Sequence, residues 1–392
     1  MTFGRMPIAN GFLMPDQFGQ EYFFELAPAF CESCHMLQIV DQPDPGRMFH
    51  ENYAFFSQTS RAMAAHFKTF AEGVMARRLP GADPFVVEIG SNDGIMMRHF
   101  AAAGLRHLGI EPSANVAAAA RDIGVNTLCS FFGAETAMKI RDEYGQADAV
   151  LSANVMCHIP DLNSVARGIE LLLKPDGVLI FEDPYLGDVI AKTSYDQIYD
   201  EHVFLFSVRS VVNAFRDHGL AVIDVEPQHT HGGSMRYTLG RTGRHPVSEA
   251  VTRQLAVEEA QGLHRPETYA RFRDNCERSR RELMAVLDDL KARGRRVVGY
   301  GATSKSTTVT NYCGITPAHV EFISDTTPIK QGRYSPGAHI PVRPYEDFTA
   351  RYPDVALLFA WNHTREIVDK EQGFLQAGGK WLVYVPDVKV TT

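Results

Sequence analysis

The chain has 392 residues, with 39 Lys and Arg against 47 Asp and Glu, giving a formal charge of −8. Such a length suggests two or three domains, and 45% apolar against 22% charged residues is the balance of a globular chain. It excludes a basic nucleic-acid binder, a collagen-like or disordered chain and, with only 6 cysteines, a disulfide scaffold. No apolar run is long enough to span a bilayer, and residues 1–10 lack a charged-then-apolar leader, so the cytoplasm is the expected compartment.

Residues 1–70 are irregular and rich in Phe, Pro and Met, with one Cys31-x-x-Cys34 pair. Between 84 and 245, short β-branched runs (85–89, 107–110, 149–151, 178–181, 220–225 and 235–239) alternate with helical stretches. That alternation predicts a parallel, doubly wound sheet. Runs 220–225 and 235–239 lie too close for a helical crossover and are expected to pair antiparallel. Residues 248–293 read as a charged helical connector. A second α/β unit begins at Arg296 and continues through runs at 320–323, 356–360 and 381–385. The expected fold class is α/β: two Rossmann-like units and a small irregular N-terminal region, divided at 1–70, 71–247 and 248–392.

In the first unit, Gly90 and Gly94 follow run 85–89 in the order Gly90-Ser-Asn92-Asp93-Gly94, letting the backbone turn closely over a ligand. Glu88 sits just inside that run, and Glu111 ends the second run roughly twenty residues after Gly90, where a carboxylate can accept from ribose hydroxyls. Phe131 and Phe132 offer apolar faces to an adenine, and Ala153, Asn154 and His158 follow the next run. An Asp in the turn repels a pyrophosphate but suits a cationic amino-acid tail, which favours S-adenosylmethionine over NAD. The plain alternative is an ordinary glycine turn with a surface glutamate.

After run 178–181 polar groups crowd together: Glu182, Asp183 and Tyr185, then Tyr199, Asp200, Glu201 and His202. Ligands in open α/β sheets sit beyond the carboxyl ends of strands, so both groups are expected beside the cofactor, with His158 at the same edge. A lone histidine is more often a satisfied core residue; two, with Tyr199 and Tyr53, point to chemistry. In the third zone, Gly299-Tyr300-Gly301-Ala302-Thr303-Ser304-Lys305 combines close backbone approach, hydroxyls and a cation, a cradle for a diphosphate, with Lys330 and Arg333 nearby. Asp325 could instead touch a ribose there, which leaves an NAD-dependent oxidoreductase open as a second reading, and a non-catalytic cofactor binder as a third.

The segments Cys157-His-Ile-Pro160, Phe181-Glu-Asp-Pro-Tyr-Leu-Gly-Asp188, Tyr195-Asp-Gln-Ile-Tyr-Asp-Glu-His202, His231-Gly-Gly233, Gly299-Tyr-Gly-Ala302 and Phe359-Ala-Trp-Asn-His363 occur in one order along nearly the whole chain. In this the sequence resembles the S-adenosylmethionine-dependent C-methyltransferases of nucleotide-linked 4-keto deoxysugars, which methylate a carbon beside the ketone, usually C-3′. The resemblance implies an N-terminal zinc-binding domain, a methyltransferase domain and a second Rossmann-like domain around a nucleotide-sugar. It implies active-site positions at Tyr53, His158, Tyr199, Glu201 and His202, with His202 as base. It also implies sugar or nucleotide contacts at Tyr185, Gly232, Gly233, Arg236, Tyr300, Thr303, Ser304, Lys305 and Arg333. No nucleic acid or membrane partner is expected, and monomer and homodimer both remain open. The family carries two Cys-x-x-Cys pairs in its first region, whereas this chain has only Cys31 and Cys34, and His35 or His50 would have to complete a site. Either an upstream segment carries the other pair, or zinc is lost and the region packs otherwise. Cys129, Cys157, Cys276 and Cys313 are expected to be small core residues.

Overall fold

The computed structural model describes residues 1–48, 61–79 and 81–391. Tyr53 and His50 lie outside the described residues. The N-terminal region forms two small sheets. Strands β1 (Arg5–Pro7) and β2 (Phe23–Glu25) make one, antiparallel, and β3 (Pro28–Phe30) and β4 (Leu37–Ile39) begin the other. Helix α1 (Arg61–Arg78) then leads into the larger α/β unit.

That unit runs β5 (Phe85–Ile89), α2 (Met97–Ala102), β6 (Arg106–Ile110), α3 (Ala114–Asp122), β7 (Thr127–Leu128), α4 (Ala134–Tyr144), β8 (Ala147–Ala153), α5 (Leu162–Leu172), β9 (Leu173–Pro184), α6 (Leu186–Lys192), β10 (Phe204–Leu205), α7 (Val208–Arg216), β11 (Leu220–Gln228) and β12 (Ser234–Arg241). Its seven-stranded sheet has the order β11-β12-β9-β8-β5-β6-β7. β5 is buried at every position because helices cover both faces of the sheet, so its Val-Val core carries no polar-out alternation. β12 pairs antiparallel with both β9 and β11, as the short connection predicts. Helix starts follow local chemistry: Asp161 accepts from Ser164 N at 2.9 Å before α5, and Ser207 accepts from Ser210 N at 3.1 Å before α7.

β9 is longer than its apolar run, extending through Glu182, Asp183 and Pro184. Glu182 and Asp183 are therefore in-register partners of Arg236 and Met235 on β12, not residues of a loop beyond the strand. β10 leaves this sheet altogether and pairs with β4, so the N-terminal region is joined directly to the segment that follows His202.

Helices α8 (Glu249–Gln261) and α9 (Pro266–Ala292) form the connector. The last unit runs β13 (Val297–Tyr300), α10 (Ser304–Cys313), β14 (Ile323–Ser324), β15 (Val342–Arg343), α11 (Tyr345–Ala350), β16 (Val355–Leu358), α12 (Thr364–Lys370), α13 (Gln372–Gln376), β17 (Lys380–Val383) and β18 (Lys389–Thr391). Its sheet order is β15-β14-β13-β16-β17-β18, parallel except for the edge strand β18. Among the described residues no helix is long and apolar enough to cross a membrane. Cys157, Cys276 and Cys313 are buried as expected, but Cys129 is exposed, because it lies past the short edge strand β7, where nothing packs over it.

Candidate active site

The carboxyl ends of β5, β6 and β8 open on one cavity of about 560 Å³, closed on its other side by α10 and by the segment 360–363. Gly90, with φ +69°, starts its wall; a Cβ there would come within 2.3 Å of Val155 Cγ2, so only glycine lets the turn approach the next loop. Both oxygens of Glu111 are held by backbone, Oε2 by Asn92 N (3.1 Å) and Oε1 by Ser113 N (2.8 Å). That fixes the carboxylate while leaving lone pairs for hydroxyls of a ligand. Glu88 also faces the cavity, 3% exposed, and its Oε2 has no hydrogen-bond partner among the described residues. Burial, then the nearby Asp93 and Glu111, holds its carboxyl well above the ordinary range, so a cationic guest is what would let it ionise. Phe131, Phe132, Ala153, Asn154 and His158 line the same end, and the buried Asn154 Oδ1 also lacks a partner among the described residues. These orphaned acceptors, carboxylate and aromatic faces fit the sulfonium, amino, ribose and adenine parts of S-adenosylmethionine. Asp93 sits behind this wall, buried, and is not part of it.

Tyr199, Glu201 and His202 line the middle of the cavity. His202 Nδ1 donates to Gln197 O at 2.6 Å, since a carbonyl can only accept. Nε2 is therefore the unprotonated nitrogen, and Tyr199 Oη donates to it at 2.8 Å. Burial, then the His158 and Lys305 charges, drives His202 well below the usual histidine range against the pull of the Gln197 carbonyl, so the ring is neutral near pH 7. His158 lies close by, with ring centroids 5.3 Å apart, and burial pushes it down to about 4.

Glu201 is held from an unexpected direction. Asn10, on the strand-less segment after β1, donates from Nδ2 to Glu201 Oε1 (2.7 Å) and to Ser304 Oγ (2.8 Å). Ala9 N donates to Asp200 Oδ1 (3.0 Å), and Thr307 Oγ1 donates to Ala9 O (2.9 Å). The N-terminal segment thus straps the loop of residues 199–202 to α10, and no motif in the sequence marks it.

Thr303, Ser304 and Lys305 line the far end, together with Lys330, His231, Asn362 and His363. Lys305 Nζ reaches only neutral acceptors, His231 O (3.4 Å) and Asn362 Oδ1 (3.3 Å), and Lys330 Nζ donates to Ala302 O (2.8 Å). Among the described residues neither lysine has a carboxylate at ion-pair distance. Burial, only partly offset by Asp196, lowers Lys305 to about 8.

Several expected contacts lie elsewhere. Tyr300 points into the sheet core, where its hydroxyl donates to Glu371 Oε1 at 2.7 Å. Tyr185 donates to Glu258 Oε1 at 3.0 Å, on the side of the sheet covered by α8. Arg236 is occupied by Glu182 (2.9 Å) and stacks over Phe70. Arg333 donates to Phe12 O at 3.2 Å, outside the cavity wall. Gly232 and Gly233 are required by packing: a Cβ on the first would strike the Trp361 ring and on the second the Asp188 carboxyl. Glu182 itself is an anchor. Burial would raise it, but His66, Arg236 and Thr230 outweigh this and keep it below the ordinary range, and the His66 bond (2.8 Å) fastens α1 so that Met63 and Phe67 form part of the cavity wall. Asp325 is taken up by Ala302 N and Thr327 N, both at 2.7 Å, and does not face the cavity.

With this geometry in place, the relatives are informative. The curated C-methyltransferase NovU of Streptomyces niveus is 34% identical over the full 392 residues, covering 93% of its own length. The chain belongs to the S-adenosylmethionine-dependent C-methyltransferases. Three family models agree along this methyltransferase: a putative zinc binding domain at residues 1–49, a methyltransferase domain at 55–225 and a C-methyltransferase C-terminal domain at 229–386. Among solved structures, a putative methyltransferase in complex with the Haloferax volcanii Trm112 activator is 18% identical, with TM-score 0.37 over 46% of this chain and 92% of that one. Magnesium protoporphyrin IX methyltransferase from Synechocystis, with bound SAM, is 12% identical, with TM-score 0.34 over 46% of this chain and 79% of that one. Among the described residues the first region offers no closed zinc site. Cys31 and Cys34 lie on the β3–β4 hairpin as two thiols, and among the described residues no third Cys, His, Asp or Glu joins them at ligand spacing.

Proposed function

We propose that this methyltransferase alkylates a carbon next to the ketone of a nucleotide-linked 4-keto deoxysugar, most simply C-3′, through a base-generated enolate. The observation that carries the reading is the state of His202: a neutral ring with Nδ1 held by a backbone carbonyl and Nε2 left as the acceptor, inside a cavity acidic at one end and cationic at the other. S-Adenosylmethionine, bound against Glu88, Glu111 and Phe132, supplies the electrophilic methyl carbon.

The chain's own residues must make carbon nucleophilic. His202 Nε2 takes the proton adjacent to the ketone, and each unit of acidity mismatch costs about 1.4 kcal/mol. The mismatch for a carbon acid is large, so donors to the forming enolate oxygen must lower it. Tyr199, already hydrogen-bonded to the base, and His158, stacked beside it, are the described groups of the right kind; Tyr53 is assigned the same task by resemblance. Glu201, clamped by Asn10, orients the base or a sugar hydroxyl. Lys305, Lys330, Thr303 and Ser304 receive the diphosphate, because buried lysines with no carboxylate at ion-pair distance among the described residues favour an anion.

The deciding experiment incubates candidate nucleotide-4-keto sugars with S-adenosylmethionine and follows mass. The expected result is a gain of one methylene unit. In deuterated water, exchange at the reacting carbon is expected without the methyl donor. A product methylated on oxygen or nitrogen, with no exchange at carbon, would overturn the reading.

A further inference from the structure

We propose that Cys157, His158 and His202 together form a binding site for one thiophilic divalent cation such as zinc, and that its occupancy blocks methyl transfer. The Cys157 sulfur and one ligand nitrogen from each histidine all lie within 4.8 Å of one another, the only such group found among the described residues. One thiolate and two imidazoles form a borderline-soft donor set that suits zinc in tetrahedral geometry, with a fourth position left for water or substrate.

The three ligands are positioned by backbone rather than by chance proximity. Cys157 and His158 are consecutive on a 3-10 turn (Met156–His158) directly after β8, closed by His158 N donating to Val155 O at 2.9 Å. His202 arrives from the loop before β10, where its own N donates to Tyr199 O at 2.9 Å. His202 need not lose a proton, since Nδ1 donates to Gln197 O and Nε2 is already an acceptor, from Tyr199 Oη.

Binding balances simply. The hydrated cation sheds waters, one metal–sulfur and two metal–nitrogen bonds form, and the Cys157 thiol proton leaves to bulk solvent. Because this proton must be displaced each time the ion binds, the ion is a reversible occupant and not a permanent part of the fold. His202 Nδ1 is engaged by Gln197 O, so the ligand is Nε2, from which the Tyr199 hydroxyl must be displaced. That is the lone pair assigned to proton abstraction, so cation and catalysis exclude each other. The inhibitory half rests on the base assignment above; the binding half does not, and the two are read separately.

The test uses the full chain carrying Cys31→Ser and Cys34→Ser, which silences the other thiol pair. Titration with Co²⁺ is expected to give a thiolate-to-metal charge-transfer band saturating at one equivalent and displaced by zinc. Cys157→Ser, close to cysteine in size, should abolish the band, keep turnover close to that of the parent, and raise the zinc concentration for half inhibition by at least roughly tenfold. His202→Asn should lose the band as well, a readout independent of activity. If Cys157→Ser fails to fold, Cys157→Ala serves the same comparison. A band that survives loss of Cys157, or the absence of any one-equivalent band, overturns the site. A band without inhibition keeps the site but overturns the block, and with it counts against His202 as base.

Discussion

The two ends of the cavity carry opposite charge. At the β5–β6 end two carboxyls, Glu88 and Glu111, face the opening, both pushed upward by burial. At the α10 end two lysines, Lys305 and Lys330, face it, both pushed downward by burial. Each end holds its charge at a cost that only an opposite guest relieves. The acidic end suits a sulfonium with an ammonium tail; the cationic end suits a diphosphate. Neutral imidazoles lie between, so under the proposed reaction a cationic donor and an anionic acceptor would be sorted to opposite ends, with the reacting carbon over a base that carries no charge of its own.

The strongest way to break this comparison is at its middle. His202→Asn should lower turnover by about 10²–10⁴-fold while S-adenosylmethionine affinity, read by calorimetry, stays within a few fold. Retained turnover would remove the base from the scheme. At the cationic end, Lys305→Met should raise KM for the nucleotide-sugar about tenfold to a hundredfold, the worth of one charge-assisted hydrogen bond, with cofactor affinity unchanged. Its pH dependence sharpens the point. With Lys305 lowered to about 8, the ammonium is present below that pH and lost above it, so kcat/KM should fall as pH rises through about 8. Lys305→Arg, which stays charged, should remove that fall. A flat profile in the parent would show that this lysine does not bind the anion.

At the acidic end, Glu111→Gln should weaken cofactor binding by about tenfold and leave the nucleotide-sugar KM alone, as measured by calorimetry and initial rates. Glu111→Gln acting on KM instead would mean that the ends are not separate. The smallest effect on activity is expected outside the cavity. Tyr300→Phe should leave kcat and KM unchanged but cost about 1–3 kcal/mol in denaturant unfolding, because it strips a donor from the buried Glu371.

The placement of the site was most legible in the sequence where its signals are local. The glycine turn at Gly90, the acidic end of β6 and the Tyr199–His202 cluster are contiguous signals, and all reach the same cavity. Sequence reading misjudged Tyr185, Tyr300 and Arg236 because a polar side chain beside a motif can turn either way from its strand, and all three turn to buried carboxylates on other elements. It took Gly232 and Gly233 for ligand contacts when their missing Cβ makes room for Trp361 and Asp188. Asn10 carried no spacing signal of its own, since it matters through Glu201 and Ser304, partners far along the chain.

The sequence alone determined the alternation of strands and helices, the antiparallel return of β12, and the family, because hydrophobic periodicity and contiguous motifs are written in neighbouring residues. Tertiary structure alone decided that residues 9 and 10 reach the 199–202 loop and α10, which proton the His202 ring keeps, and that two lysines face the cavity without carboxylate partners at ion-pair distance among the described residues. Hydrogen-bond direction and burial depend on what folding brings near, and that is a property of the packed chain.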